Sequence, residues 1–288
     1  MSKILVLELD NEYGMLRNAD NIDYYNYFKY SNKNIIQKII KKLELNISSI
    51  FFNEWKNKIE EYDTVIMFDR GFNKVVTRYI KHKNPSAKII LWLWNPVSDR
   101  QKYFMTDNNV DEIWTYDKND AQKYNIKYNT QFYNKMFLLN RNTTQVSNDI
   151  MFIGANKGRK ETIEKWNNEF KKHNLVTDIK IVEKNEQGIS YQEYLKRLEK
   201  TKCIFEIVND GVEGLTLRAL ESIFFEKKII TNNKEIIKYN FYNPNNIFIL
   251  EYDDINKIEK FINSNYVKIE KEIVEFYEYE KWINRFIK

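Results

Sequence analysis

Short apolar runs alternate with amphipathic segments along most of the chain, and this alternation restricts the possible folds more than any other feature. In the first half, the apolar runs cover residues 4–9, 64–68, 88–94 and 112–116, and the amphipathic segments cover 34–43, 72–82 and 117–124. Uninterrupted apolar runs of this length are typical of strands that are buried on both faces of a parallel sheet. The sequence therefore predicts α/β layering with mostly parallel sheets.

The same rhythm starts again after residues 140–148, a polar stretch without periodicity that indicates a linker. Predicted strands then cover 150–153, 178–182, 203–208, 228–231 and 247–250, and predicted helices cover 159–173, 191–200, 215–225, 234–239, 254–263 and 269–287. We therefore predict a domain at 1–145, a second domain at 149–268 and a C-terminal helix at 269–288. Two Rossmann-like domains that face each other across a cleft are the simplest architecture for this pattern.

Composition excludes several classes of protein. A single cysteine, Cys203, excludes a disulfide framework and suits a reducing compartment. No apolar run approaches the roughly 20 residues that a membrane span requires. We therefore expect a cytoplasmic protein.

Charge is distributed unevenly between the two halves. Residues 1–148 carry 22 Lys and Arg against 17 Asp and Glu, whereas residues 149–288 carry 24 of each. The excess fits either solvated helix faces or a first domain that contacts an anionic acceptor or the acidic lipids of the inner membrane face. Basic residues do not interleave with aromatic ones in a single stripe, so the sequence does not favour a nucleic-acid partner.

Glycine is scarce, with seven in 288 residues, and its positions are therefore informative. Four glycines occur in two strand-to-helix turns of the second half, at Gly154, Gly158, Gly211 and Gly214. In a parallel sheet such turns lie at the carboxyl edge, where ligands bind. These two turns are the predicted ligand site.

The first turn places three basic residues, Lys157, Arg159 and Lys160, beside Gly154 at a helix start. Positive charge there opposes the helix dipole, and an anion bound to the side chains and the free N–H groups would reverse that cost. An ordinary basic loop is the alternative. The P-loop pattern and the G-x-G-x-x-G pattern are both absent.

The second turn carries two carboxylates eight positions apart, Glu213 and Glu221. A carboxylate can accept hydrogen bonds from both ribose hydroxyls, and Glu221 is the better candidate for that role. The residues between them that we expect to bind phosphate are Gly214, Leu215, Thr216 and Arg218. The alternative is that Glu213 is an early-helix acid favoured by the helix dipole and that Glu221 lies on a solvated helix face.

The segment from Glu213 to Glu221 resembles the E-x7-E pattern of GT-B glycosyltransferases. The wider sequence GLTLRALESIFFEKKIITNN is similar to small bacterial enzymes of capsule, lipopolysaccharide and exopolysaccharide synthesis. FIGANKGRK resembles their first nucleotide-binding loop, and YEYEKWINRFIK resembles their terminal tryptophan helix. The resemblance implies a nucleotide-diphosphate-sugar donor, no metal requirement, and a C-terminal helix that crosses back to the first domain.

The sequence offers no clear metal ligands and several candidates for a catalytic base. No Asp-x-Asp occurs in a suitable loop and the chain has two histidines, so we expect no metal and no other cofactor. An inverting reaction needs a base, and the candidates follow predicted strands of the first domain at Asp10, Glu12, Asp69 and Asp99. A retaining reaction needs no base. The E-x7-E pattern favours a retaining reaction but does not decide between the two.

These observations favour a metal-independent glycosyltransferase of bacterial surface polysaccharide or glycoconjugate synthesis. The second domain would bind the donor and the first a glycan or lipid-linked acceptor, with peripheral membrane contact as an option. Two alternatives stay open: a sugar-nucleotide epimerase of the same fold, and a non-catalytic partner or activator.

Overall fold

The computed structural model describes residues 2–9, 14–29, 46–139, 145–209, 211 and 214–287. The predicted helix at 34–43, the candidates Asp10, Glu12 and Glu213, and residues 140–144 of the predicted linker lie outside these ranges. The chain forms two compact units, one made of Met1–Thr130 with Trp282–Lys288 and the other of Gln131–Lys281.

A six-stranded parallel sheet forms the centre of the first unit. Its strands are β1 (Ile4–Glu8), β2 (Ile22–Asn26), β3 (Thr64–Phe68), β4 (Lys88–Leu93), β5 (Glu112–Thr115) and β6 (Lys127–Tyr128). Its α-helices are α1 (Lys74–Lys83), α2 (Asp99–Met105) and α3 (Lys118–Tyr124), and 3-10 helices cover Asn46–Phe51, Glu54–Asn57 and Ile59–Glu61. The strand order is β2-β1-β3-β4-β5-β6, so the order reverses between β1 and β3.

The second unit contains a five-stranded parallel sheet with the order β11-β10-β9-β7-β8. Its strands are β7 (Asn148–Ala155), β8 (Thr177–Val182), β9 (Thr201–Glu206), β10 (Lys228–Thr231) and β11 (Ile247–Ile249). Its helices are α4 (Lys160–Lys172), α5 (Tyr191–Glu199), α6 (Leu217–Phe224), α7 (Ile258–Asn263) and α8 (Lys271–Phe276), with 3-10 helices at Lys135–Leu138, Lys234–Lys238 and Ile255–Lys257. The order reverses between β7 and β9.

The central strands of both sheets are buried on their two faces, as their apolar sequences require. All five residues of β1 and of β3 are buried, and so are the four residues of β10. Crossover helices cover the faces of each sheet because parallel strands cannot be joined by a tight hairpin. The predicted fold class, α/β with two Rossmann-like domains, is confirmed.

The C-terminal segment differs from the single helix predicted at 269–287, and that prediction is wrong. Helix α8 ends at Phe276, and a separate helix, α9 (Tyr279–Asn284), follows. The break forms because the backbone pairs with another segment: Tyr133 N–H donates to the Tyr277 carbonyl at 2.8 Å, and Tyr279 N–H donates to the Tyr133 carbonyl at 3.0 Å. Residues committed to this pairing cannot continue the helix.

The last residues of the chain complete the core of the first unit. The centroids of the Trp282 and Trp92 rings are 5.1 Å apart, and the Trp282 indole N–H donates to the Thr130 carbonyl at 2.8 Å. Arg285 Nε donates to Asn129 Oδ1 at 2.6 Å. The chain thus passes from the first unit to the second between Thr130 and Gln131, and it returns to the first between Lys281 and Trp282. The sequence predicted domain boundaries at 145–149 and 268–269.

In the described parts of the chain, no helix has the length and apolar character needed to cross a membrane.

Candidate functional site

The strand order places the candidate site of the second unit at the carboxyl ends of β7 and β9. Ligands of open α/β sheets bind where the strand order reverses, in the crevice outside the strand ends. Strand β7 leads into α4 through a loop that begins after Ala155, and β9 leads into α6 through a loop that begins after Glu206. These are the two glycine-containing turns that the sequence singled out.

The loop after β7 is held by its own side chains. Asn156 Oδ1 accepts hydrogen bonds from the N–H groups of Arg159 at 3.1 Å and Lys160 at 3.0 Å, so it caps the start of α4. Lys160 lies 3.4 Å from a Glu183 carboxylate oxygen. Lys157 is exposed and has a positive φ of 46°.

The Arg159 guanidinium joins the two loops. It donates to the carbonyls of Ala155 at 2.8 Å and of Ile207 on the β9 side. Burial lowers the pKa of this guanidinium, and the nearby charge of Arg218 lowers it further. The site therefore holds two positive groups close enough to repel each other.

Arg218 and Arg159 lie over the same aromatic ring. Their guanidinium carbons are 4.9 Å and 5.7 Å from the centroid of the buried Phe152 ring, and Arg218 Nη2 donates to the Ile153 carbonyl at 2.7 Å. A Cβ atom at Gly154 would lie 2.3 Å from Arg218 Nη2. A side chain at that position would displace the guanidinium from its place.

Glu206 is a buried carboxylate of the site that sequence reasoning missed. It ends β9, and it accepts hydrogen bonds from the hydroxyls of Thr216, the N-cap of α6, and of Thr231 at 2.6 Å. A signal was available, because a glutamate at the end of an apolar strand run is unusual. Gly214 and Leu215, which precede the cap, are buried.

Glu221 lies inside the second unit with both carboxylate oxygens occupied. Tyr191 donates to Oε1 at 2.7 Å and Tyr194 donates to Oε2 at 2.6 Å. The Tyr133 hydroxyl lies 2.8 Å from that of Tyr191. Burial raises the pKa of Glu221 to about 7, although both tyrosine hydrogen bonds act in the opposite direction.

Of the candidate bases, the structure describes Asp69 and Asp99. Asp69 is buried, and it accepts hydrogen bonds from the backbone N–H groups of Trp94 and Asn95 and from the side chain of Gln101 at 2.8 Å. Burial raises its pKa. Asp99 is exposed at the start of α2 and pairs with Lys102 at 3.1 Å. Asp69 is thus placed as a loop anchor.

Within the described residues, no three His, Cys, Asp or Glu side chains are grouped so that they could hold a metal ion. Positive charge at the site comes from Arg159 and Arg218, with Lys157 and Lys160 at the surrounding loop.

The fold and the site define an α/β protein with two Rossmann-like units and an arginine pair at the strand-order reversal of the second. No family model matches the sequence, and no curated protein matches it either. One similar solved structure is an alpha-glucosyltransferase in complex with UDP and a 13-mer DNA containing a central A:G mismatch. It has a TM-score of 0.49 and 11% sequence identity, and the match covers 99% of this chain and 93% of that chain. The fold assignment rests on the strand order of the chain itself.

Proposed function

We propose that the chain is a glycosyltransferase that takes a sugar from a nucleotide-diphosphate donor. The observation that carries this proposal is the pair of guanidinium groups, Arg159 and Arg218, over the Phe152 ring at the carboxyl edge of the second sheet. Two like charges this close raise each other's energy unless an anion lies between them. The buried Glu206 carboxylate offsets part of this repulsion at Arg159. In the described part of the chain, neither guanidinium forms a direct ion pair with a carboxylate.

A diphosphate suits this arrangement. Planar guanidinium groups bind phosphate oxygens through two parallel hydrogen bonds, and helix N-termini add N–H donors. In sugar transfer the diphosphate gains negative charge as the glycosidic bond breaks, and fixed positive groups stabilise that charge. Lys157, Lys160, Gly214, Leu215 and Thr216 belong to the same proposed donor site.

The two glutamates of the E-x7-E pattern enter the proposal differently. Glu213 is proposed to contact the sugar or the diphosphate. For Glu221 to bind ribose, its buried carboxylate, which already accepts hydrogen bonds from Tyr191 and Tyr194, would have to become accessible. We therefore expect Arg218 to matter more than Glu221 for nucleotide affinity.

The finer assignments rest on the sequence resemblance and on charge. We propose a metal-independent enzyme of bacterial surface polysaccharide or glycoconjugate synthesis, such as capsule or lipopolysaccharide, that works in the cytoplasm or peripherally at the inner face of the membrane. The acceptor would be a glycan or a lipid-linked sugar, bound by the basic first unit. Asp10 and Glu12 remain the proposed base candidates of an inverting reaction.

A second candidate is a non-catalytic partner that keeps the nucleotide fold. The engagement of Asp69 favours it, because a carboxylate that already accepts several hydrogen bonds is poorly available as a base. Release of free nucleotide from a donor sugar in the absence of acceptor would argue against this candidate.

Thermal unfolding with UDP, GDP, CDP and dTDP tests the donor site. At a concentration of 100 Kd, a ligand that binds only the folded state adds about 2.7 kcal/mol to the free energy of unfolding. We expect one nucleotide to raise Tm by roughly 5 °C or more. No shift with any of the four would contradict the proposal.

Arginine variants assign that shift to the site. Arg159→Ala and Arg218→Ala should each weaken nucleotide binding at least about tenfold, since each removes charge-assisted hydrogen bonds. Arg197→Ala is the matched control, because Arg197 is an arginine of the same unit that pairs with Asp178 at 3.1 Å. Equal affinity in all three variants would place the nucleotide elsewhere.

A further inference from the structure

The carboxyl ends of β4 and β5 bring two aromatic residues side by side in the first unit. Trp92 aligns with Trp114, and Leu93 aligns with Thr115. Trp94 follows Leu93 at the end of β4, and Tyr116 follows Thr115 at the end of β5. The register therefore places Trp94 and Tyr116 as neighbours just beyond the sheet. This edge of a parallel sheet is where ligands bind.

The loop that carries Trp94 is fixed by carboxylates. Asp69 accepts the N–H groups of Trp94 at 3.2 Å and Asn95 at 3.4 Å, and its oxygens also accept the Asn95 side-chain amide at 3.2 Å. Asp120 Oδ2 accepts the Val97 N–H at 2.8 Å. Burying a carboxylate such as Asp69 is unfavourable without such partners. These hydrogen bonds restrain the loop.

Trp94 and its neighbour Trp92 have different environments. Trp92 is fully buried against Trp282 and Phe286, whereas Trp94 is half-buried. The buried Phe68 ring lies 5.8 Å from the Trp94 ring and supports it. Part of a large, rigid aromatic surface thus reaches solvent at the sheet edge.

Tyr116 follows the neighbouring strand at the position that the register places opposite Trp94. The residue is 7% exposed, and among the residues that the structure describes, its hydroxyl makes no hydrogen bond to protein. Burial and the charges of Asp117, Asp120 and Asp69 raise its pKa, so the hydroxyl keeps its proton. Within the described residues it is a hydrogen-bond donor without a protein acceptor, and the register places it one strand away from the half-buried Trp94.

We propose that Trp94 and Tyr116 form a binding subsite for a pyranose ring. The C–H groups on one face of a pyranose are weakly positive and pack against the negative face of an indole, while its hydroxyls need polar partners such as the Tyr116 hydroxyl. Asp69 is a positioning residue that sets the orientation of Trp94 through the loop. The inference rests on the proposed function in one respect, that the bound sugar is the acceptor.

Saturation-transfer NMR with three probes tests the subsite: methyl β-D-glucopyranoside, methyl β-D-galactopyranoside and methyl α-D-mannopyranoside at millimolar concentration. The wild-type chain should transfer saturation to at least one of them, and Trp94→Ala should abolish the signal. Tyr116→Phe should weaken binding about five- to tenfold, since it removes one hydrogen bond. Tyr103→Ala, which removes a 53% exposed tyrosine of the same unit, should leave binding unchanged.

Two further measurements separate the possible failures. Trp94→Ala should keep the wild-type thermal shift with nucleotide. If this variant loses only pyranoside binding, the result supports the subsite. If the wild-type chain itself shows no thermal shift with nucleotide, the result counts only against the donor site. Asp69→Asn should weaken pyranoside binding with unchanged nucleotide affinity, a split that general destabilisation would not produce. No signal from any of the three probes, or an undiminished signal in Trp94→Ala, would overturn the proposal.

Discussion

Gly154 lies against the Arg218 guanidinium, and this contact gives a sharp residue-scale prediction. Gly154→Ala would place a Cβ atom 2.3 Å from Nη2, and the flexible arginine would move away from the Ile153 carbonyl and the Phe152 ring. Nucleotide affinity should fall about tenfold or more, because a charge-assisted contact is lost. Thermal-shift titration with the nucleotide measures this affinity.

Gly188→Ala is the control for this substitution. A Cβ atom there would meet no heavy atom within 4 Å, and Gly188 has no positive φ. The control should leave nucleotide affinity unchanged and alter stability by less than about 1 kcal/mol. Loss of affinity in both variants would show that glycine flexibility, and not the arginine contact, matters.

The raised pKa of Glu221 leads to a prediction of how the free energy of unfolding depends on pH. Its pKa in the folded chain is about 7, against an ordinary value of 4.5, so between these values the folded state holds a proton that the unfolded chain releases. The free energy of unfolding should therefore fall as pH rises from 4.5 to 7, by an amount on the order of 3 kcal/mol from this group. Glu221→Gln should flatten this dependence.

Urea unfolding at a series of pH values measures the effect, with Glu164→Gln on the exposed face of α4 as the control. The control should keep the wild-type slope. A Glu221→Gln variant with the same slope as wild type would show that another group takes up the proton.

Residue roles were only partly predictable from sequence. The scarcity of glycine directed attention to Gly154, and the structure shows that the missing side chain leaves room there for the Arg218 guanidinium. The environment of Glu221 was not predictable, since its tyrosine partners are 27 and 30 positions away and belong to another helix. Sequence distance carries no information about such a contact.

At the scale of elements, the cap of α6 links stability to the site. Thr216 accepts the Ala219 N–H and donates to Glu206. Thr216→Ala should lower the free energy of unfolding by about 1–2 kcal/mol, because it removes a cap and leaves a buried carboxylate with one donor fewer. It should also weaken nucleotide binding, whereas Thr216→Ser should restore both properties.

Asn73→Ala is the matched control for the cap. Asn73 caps α1 in the first unit by accepting the Val75 N–H at 2.8 Å. This variant should show a similar loss of stability in urea unfolding without a loss of nucleotide affinity. Unchanged affinity in Thr216→Ala would separate the cap from the proposed donor site.

Elements with strong local signals were predicted well, and those fixed by distant pairing were missed. Strands β3 and β10 were predicted with their observed bounds, because buried parallel strands are continuous apolar runs. The sequence did not reveal β2 or the two-residue β6, since both are edge strands with polar residues. The break between α8 and α9 depends on pairing with Tyr133, nearly half the chain away.

For the whole molecule, the contribution of the C-terminal residues to the first unit can be tested. Trp282 is fully buried and contacts the rings of Trp92, Phe68 and Phe286. Trp282→Ala should cost about 3–5 kcal/mol, as expected for a large core residue. Tyr252→Ala, at a 64% exposed residue, should stay within about 0.5 kcal/mol. Urea unfolding compares them, and equal stability would contradict this role of Trp282.

The two-domain plan was predictable because each half of the sequence repeats a strand–helix rhythm. The points where the chain changes unit were not predictable, since polarity marks exposed loops and does not show which contacts a segment makes. The change after Thr130 follows the last strand of the first sheet, and the return at Trp282 lies within a helix.

The return of Trp282–Lys288 to the first unit also determines the order in which the protein can finish folding during synthesis. Residues 131–281, which form the second unit, are translated before the segment that completes the first. Until that segment leaves the ribosome, the sheet surface around Trp92 and Phe68 lacks its cover, although its own strands were made first. The first half of the protein to be synthesised is thus the last to be completed, and an apolar surface stays open to chaperones throughout that interval.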